Sequence, residues 1–262
     1  MSCWSPPSRL RATPPLPAPT GKLSVEGLYY APNKNVTILR GISFRLEAGE
    51  SLGIIGPSAA GKSTLAKAMV GIFAPTHGHV RLDGADVHRW AREDFGQYVG
   101  YLPQQVEFFL GSIKQNIARM RDDFSDDAVI AAAQLAGVHE MILQLPAAYD
   151  TPYLPGNTVL SPGQKQRLGL ARAMYGNPRF VVLDEPNSNL DGDGERALMN
   201  ALSALRAASV TTVIVAHRPS VLATVDKIMM MRSGMIEVFG GRDEVMQRYT
   251  PAGGKRLQEH SA

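Results

Sequence analysis

Residues 51–64 read Ser51-Leu-Gly-Ile-Ile55-Gly56-Pro57-Ser58-Ala59-Ala60-Gly61-Lys62-Ser63-Thr64. Ser51–Ile55 has the length and apolar content of a short buried strand. Gly56 and Gly61 permit a tight wrap in which successive backbone N–H groups turn inward toward an anion. A helix predicted from Lys62 to Phe73 adds free N–H groups and the positive end of its dipole. At this spacing Lys62 reaches β- and γ-phosphates, and the Ser63 hydroxyl serves Mg²⁺. Strand, glycine turn and helix together predict a cradle for nucleotide phosphates over residues 56–64.

Outward from that loop, short strands are predicted at Val36–Leu39, Ile42–Leu46, Val80–Leu82, Tyr98–Leu102, Phe180–Leu183, Thr211–Ala216, Lys227–Met231 and Met235–Phe239. Helices predicted at Glu195–Ala207 and Arg242–Tyr249 alternate with them. That pattern argues an α/β fold with a mostly parallel core sheet covered on both faces. Residues 111–176 differ. They carry helical patterns at Ile113–Met120, Asp127–Leu135, Val138–Leu145 and Pro162–Tyr175, and few strand signals, so a helical subdomain is expected there.

The segment Phe180-Val-Val-Leu183-Asp184-Glu185 places a carboxylate at the end of an apolar strand. Open α/β sheets bind ligands at that edge. Asp184 is expected to hold Mg²⁺ directly or through water. Glu185 is expected on the opposite side of the strand, aimed at an attacking water.

Composition sets the outer limits. The 262 residues are 44% hydrophobic and 19% charged, which excludes a mostly disordered or collagen-like chain. Cys3 is the single cysteine, so no intrachain disulfide forms. The net charge of +3 is too mild to argue for a nucleic-acid partner. No apolar run approaches the roughly 18 residues of a membrane span, and the start has no signal-peptide core. Pro6, Pro7, Pro14, Pro15, Pro17 and Pro19 mark residues 1–21 as an extended linker. Residues 22–250 are then the folded domain, and 251–262 a tail.

Leu160-Ser161-Pro162-Gly163-Gln164 opens the last helix of the insertion. Ser161-x-x-Gln164 reads as a capping box, with Pro162 at the first helical position. This segment resembles the signature motif of ABC-type ATPases. Gln104 in Tyr101-Leu-Pro-Gln104 resembles that family's loop glutamine, and Ser188-Asn-Leu-Asp191 its D-loop. His217 resembles the switch histidine, and Tyr30, or else Tyr29, the aromatic that stacks on adenine. Taken singly, Gln104 reads as a solvated amide, His217 as a strand-end histidine and Tyr30 as a packing residue. The ordered set over residues 22–249 carries the resemblance.

The resemblance implies a P-loop fold of the ABC-ATPase kind, with an antiparallel β subdomain beside the helical one. It implies ATP and Mg²⁺, with Ser63, Gln104 and Asp184 at the metal and Glu185, Gln104 and His217 catalytic. It implies a head-to-tail dimer in which Leu160, Ser161, Gly163 and Gln164 face ATP held by the other copy, beside the D-loop residues Ser188 and Asp191. Phe108-Phe-Leu-Gly-Ser112-Ile113, Asn116-Ile117 and Tyr149-Asp150-Thr151 look like exporters, and Ile117-Ala-Arg119 and Asp184-Glu-Pro-Asn187-Ser-Asn189-Leu-Asp191 look like type I protein secretion ATPases. The expectation is therefore a Mg²⁺-dependent ATPase subunit on the cytoplasmic face of a membrane. It would lack its own membrane domain and serve a transmembrane partner on another chain, with no nucleic acid.

Two departures stand against full function. Proline replaces the family's glycine at Pro162, and Pro155 stands where exporters carry a glutamate. They keep open an uncoupled fragment or a non-hydrolysing dimerisation switch. A soluble ABC ATPase of translation or DNA repair is disfavoured, since the chain shows one phosphate loop and no sustained heptads.

Overall fold

A computed structural model of the chain describes residues 17–33, 35–154 and 160–249. The first part runs β1 (Leu23–Tyr30), β2 (Leu39–Leu46), β3 (Ser51–Ile55), α1 (Lys62–Met69), β4 (His77–Leu82), β5 (Ala85–Asp86), α2 (Arg92–Tyr98) and β6 (Val99–Leu102). A helical stretch follows, with β7 (Gly111–Ser112), α3 (Ile113–Ile117), α4 (Asp126–Leu135), α5 (His139–Leu143), β8 (Pro152–Tyr153) and α6 (Pro162–Met174). The last part is β9 (Phe180–Asp184), α7 (Gly192–Ala207), β10 (Thr211–Val215), α8 (Pro219–Leu222), β11 (Lys227–Arg232), β12 (Met235–Gly241) and α9 (Arg242–Tyr249).

The core sheet has six strands in the order β12-β11-β3-β10-β9-β6. All pairings in it are parallel except β12 with β11. A second sheet, β2-β1-β4-β5, is antiparallel. The expected mostly parallel core, antiparallel β layer and helical lobe are all present.

Strand β9 shows why the layers form. Each of its residues is buried. Val181 and Leu183 enter a core shared with α4, α6 and α7, whereas Phe180 and Val182 enter a core shared with α1 and the antiparallel sheet. That period-two alternation between two apolar layers fixes the strand's register. It also turns Asp184 to the α1 side.

Several expected boundaries move, each for a local reason. Helix α1 ends at Met69 rather than Phe73, because Gly71 takes a left-handed φ of 74°. Phe73 is thereby freed to stack on Tyr30, ring centroids 5.0 Å apart. Helix α3 stops at Ile117 rather than Met120, since Arg119 and Met120 both have positive φ. Helix α7 begins at Gly192, because Asp191 Oδ1 caps it by accepting from the Gly194 N–H at 2.8 Å. Val36 makes only an isolated bridge to Asn33, and the strand proper starts at Leu39. Strand β1 and helices α2 and α8 have no counterpart in the sequence reading. The helical stretch also holds a two-stranded pair, β7 with β8.

The N-terminal linker meets the fold before its expected end. Asp83 accepts from the Thr20 N–H at 2.6 Å, and the Gly21 carbonyl accepts from Thr211 Oγ1 at 2.7 Å. The first sixteen residues, Pro155 and the tail 251–262 lie outside the described residues.

Arg119 welds the helical lobe to the core. Its guanidinium donates to the carbonyls of Val99 at 2.9 Å, Arg172 at 2.9 Å, Ala173 at 3.1 Å and Tyr175 at 2.9 Å, and also to that of Gly96. The acceptors from 172 to 175 are the free carbonyl end of α6, where a cation complements the dipole. Burial, helped by neighbouring Arg172, lowers the Arg119 pKa to about 10, which leaves it charged at neutral pH. The left-handed turn at Arg119 is what aims the side chain back into this nest of carbonyls. Replacing Arg119 with alanine strands those buried acceptors, each costing about 1–3 kcal/mol if unmet. Arg119→Ala is therefore expected to lower the unfolding free energy by at least about 3 kcal/mol in urea titration, and Arg119→Lys to recover only part.

Candidate nucleotide-binding site

The five parallel strands end on one edge of the core sheet, and the segments that follow them build the site. After β3 comes the 56–61 loop. Gly56 has φ 148°, and a Cβ there would lie 2.2 Å from the Met231 carbonyl oxygen, so only glycine fits. The loop then passes Ala59, also at positive φ, and enters α1 at Lys62. The Lys62 ammonium turns back into the loop and donates to the carbonyls of Gly56 at 2.8 Å and Pro57 at 2.9 Å. Burial lowers its pKa, and the charges of Glu185 and Asp184 work the other way.

Strand β9 delivers Asp184, whose Oδ1 accepts from Ser63 Oγ at 3.1 Å. Its Oδ2 is buried with no hydrogen-bond partner among the described residues. Burial raises the Asp184 pKa, against the opposing pull of Ser63, Lys67 and Lys62. A buried carboxylate with unused lone pairs beside a hydroxyl is a hard-oxygen donor set, which fits Mg²⁺. Among the described residues, no cluster of three or more His, Cys, Asp or Glu side chains could hold a metal ion by itself. That too suits Mg²⁺, which takes one or two protein ligands and fills its shell with water and phosphate.

Glu185 overturns one expectation. It has φ 51° and lies beyond β9, so the strand pleat does not set its direction. Its position is set instead by bonds. Its N–H donates to the Val215 carbonyl at 2.9 Å, and its own carbonyl accepts from Gln166 Nε2 at 3.3 Å. Gln104 Nε2 donates to Glu185 Oε2 at 2.8 Å, and His217 Nε2 lies 3.5 Å from Glu185 Oε1. Gln104 thus reaches the Glu185 carboxylate in this arrangement, rather than Ser63 or Asp184.

Gln104 and Glu185, with Ser58–Thr64, line a groove of about 630 Å³, and Asp184 and His217 lie outside its lining. Its other wall is Val36, Thr37, Ile38, Arg40, Ser233 and Gly234, which the sequence reading did not single out. Tyr30 does not line the groove. Its carbonyl accepts from the Ile38 N–H at 2.8 Å, so it sits directly behind that wall. Tyr29 is exposed and packs edge-on against His77.

The signature segment stands apart, and none of Leu160–Gln164 lines the groove. Its capping box is formed: Gln164 N–H donates to Ser161 Oγ at 3.2 Å, and Ser161 N–H to Gln164 Oε1 at 2.8 Å. A Cβ on Gly163 would lie 2.7 Å from the Asn189 carbonyl oxygen, so the start of α6 abuts the D-loop of its own chain. The Ser188 N–H donates to the Glu185 carbonyl at 3.2 Å, while the Asp191 carboxylate is occupied as the α7 cap.

Residues 39–188 match the family model described as ABC transporter. The chain is 48% identical over 232 residues to the type I secretion system ATP-binding protein PrsD of Rhizobium meliloti, covering 88% of this chain and 40% of that protein. It is 36% identical over 232 residues to heavy metal tolerance factor 1 of Caenorhabditis elegans, covering 88% and 29%. A solved bacterial Atm1-family ABC exporter with ATP bound aligns with a TM-score of 0.82 at 31% identity, covering 91% of this chain and 42% of that one. The chain thus spans less than half the length of these relatives. Among the described residues, no helix is long and apolar enough to cross a membrane.

Burial of Asp184 carries a stability consequence. An acid whose folded pKa lies above its unfolded value binds more protons when folded, so stability falls as pH rises through that window. In metal-free buffer, Asp184→Asn is expected to unfold at a higher temperature than wild type at pH 7. The advantage should vanish near pH 4, about the unfolded pKa of aspartate.

Proposed function

The chain belongs to the ABC transporter family, and from that premise we propose that it is the Mg²⁺-dependent, ATP-hydrolysing motor of an exporter of the type I protein secretion kind. The observation that carries the chemistry is the convergence of Gln104 and His217 on Glu185, beside Lys62, Ser63 and Asp184. The similarity to PrsD supports the protein-secretion branch.

In this reading the 56–64 loop and Lys62 hold the ATP phosphates. The ammonium exchanges its two loop carbonyls for phosphate oxygens. Ser63 and Asp184, with Gln104, would hold Mg²⁺, which would neutralise charge building on the phosphates. Glu185 orients a water for in-line attack on the γ-phosphate and takes its proton. Gln104 and His217 hold the Glu185 carboxylate in line, and His217 and Lys62 stabilise the transition-state charge. Tyr30, stacked on Phe73, backs the Val36–Arg40 wall on the adenine side.

The groove is open on one side, and the signature segment of the same chain does not reach it. A second copy, docked head to tail, closes it with the Ser161 hydroxyl and the Gly163 N–H, with Ser188 and Asp191 of the D-loop at the seam. Closure on ATP and opening after hydrolysis is the stroke. A transmembrane exporter domain at the cytoplasmic face of a membrane receives it. The exposed Phe109, Leu110 and Leu154, which flank the β7–β8 pair, form an apolar surface suited to that contact.

One observation favours the second reading, a nucleotide-dependent dimerisation switch without turnover. Pro162 at the first position of α6 removes an N–H that would otherwise face the partner's ATP. Two measurements separate the readings. The Mg²⁺-ATPase rate per molecule should rise with protein concentration and fall by about 10²-fold or more in Glu185→Gln. Pro162→Gly should raise turnover about tenfold or more, one hydrogen bond to a charged acceptor being worth about 1.5–3 kcal/mol. ATP binding with no turnover at any concentration would overturn the motor reading.

A further inference from the structure

Tyr101 is half-buried, and its buried hydroxyl is a polar group that the mechanism above does not use. It lies on β6, paired with Val182 of the parallel neighbour β9. Asp184 is two residues beyond Val182, so both side chains project from the same face of adjacent strands. Both point into the layer beneath α1, where Tyr101 packs against the core that contains Val182.

Two oxygens on this face are shut off from solvent and have no hydrogen-bond partner among the described residues: Tyr101 Oη and Asp184 Oδ2. An unmet buried polar atom costs about 1–3 kcal/mol, and native proteins meet nearly all of them, often with an ordered water. The two groups are complementary. A carboxylate oxygen needs a donor, and a phenol supplies one. Burial first, and the Asp184 charge second, push the Tyr101 hydroxyl far above its ordinary range, so it keeps its proton and stays a donor. The two do not bond each other directly, and ordered water joins groups of this kind.

We propose that Tyr101 is a positioning residue of the metal site, its hydroxyl engaging Asp184 Oδ2 through ordered water and thereby fixing the carboxylate beside Ser63. Carboxylates that hold metals are themselves held by hydrogen bonds, and loss of such a partner typically costs about 10–100-fold in metal affinity. Val182 and Phe180 pack the same face and offer no substitute donor. Without the phenol hydroxyl, Ser63 is the one side chain among the described residues that hydrogen-bonds Asp184. The inference rests on the ATPase reading and extends it to one further residue.

Tyr101→Phe removes one oxygen and preserves the ring. The readout is Mn²⁺ binding in the presence of ADP, followed by the electron paramagnetic resonance signal of free Mn²⁺. Thermal unfolding and ADP binding in EDTA serve as controls. The expected result is Mn²⁺ affinity weakened about tenfold, with metal-free ADP binding unchanged and the unfolding temperature unchanged or raised. A Tyr101→Phe chain that binds Mn²⁺ within twofold of wild type would overturn the inference and leave the ATPase reading intact. A wild-type chain that binds ADP equally with and without Mn²⁺ would overturn both.

Discussion

The constraint on which this molecule turns is the burial of Asp184. A strand with no solvent-facing residue carries a carboxylate at its end, inside the fold and against Ser63. Water would stabilise that charge, and the fold withholds it. The site therefore accumulates compensating groups: a hydroxyl, two lysines on α1, and a loop of inward N–H groups. Lys62 is in the complementary position, a buried ammonium held by the carbonyls of its own loop. Both charges are costly alone, and both are relieved by a ligand that brings phosphate and a divalent cation. The site is thus electrostatically incomplete in the way that favours tight binding of a metal–nucleotide complex.

The parallel sheet makes this arrangement possible. Each of the five parallel strands delivers its following segment to one edge, so residues far apart in sequence meet within one groove. Glu185 shows the cost of that crowding. It sits at positive φ, a conformation a non-glycine residue adopts only when its surroundings over-determine it. The over-determination is visible: the Val215 carbonyl, Gln166, Gln104 and the D-loop Ser188 all bond to it. Gln166 lies on α6, the signature helix, and Arg119 ties the far end of that helix to β6. The helix that would meet a partner's ATP is therefore bonded to the Glu185 backbone carbonyl at one end and to the core at the other.

Much of this was legible in the sequence because it is encoded locally. The phosphate loop, the apolar run before Asp184 and the capping box at Ser161 each depend on residues within a few positions of one another. What was not legible depends on tertiary contact. The wall from Val36 to Arg40 reads as a strand but is mostly a connection whose side chains face the groove. The length of α3 is decided by Arg119, which leaves the helix to bind carbonyls 53 to 56 positions later. The direction of Glu185 follows from a left-handed backbone that no pleat argument anticipates. Gln166 carries no motif and Tyr101 only borders that of Gln104, and the register of α6 and β6 brings them to the site.

The central claim is that one chain supplies half of each ATP site and a second copy supplies the rest. Sedimentation equilibrium of the Glu185→Gln chain, with and without Mg²⁺-ATP, tests it most directly, because bound nucleotide then persists. The account predicts a monomer without nucleotide and a dimer holding two ATP with it. A chain that binds ATP stoichiometrically and stays monomeric at every accessible concentration would contradict it.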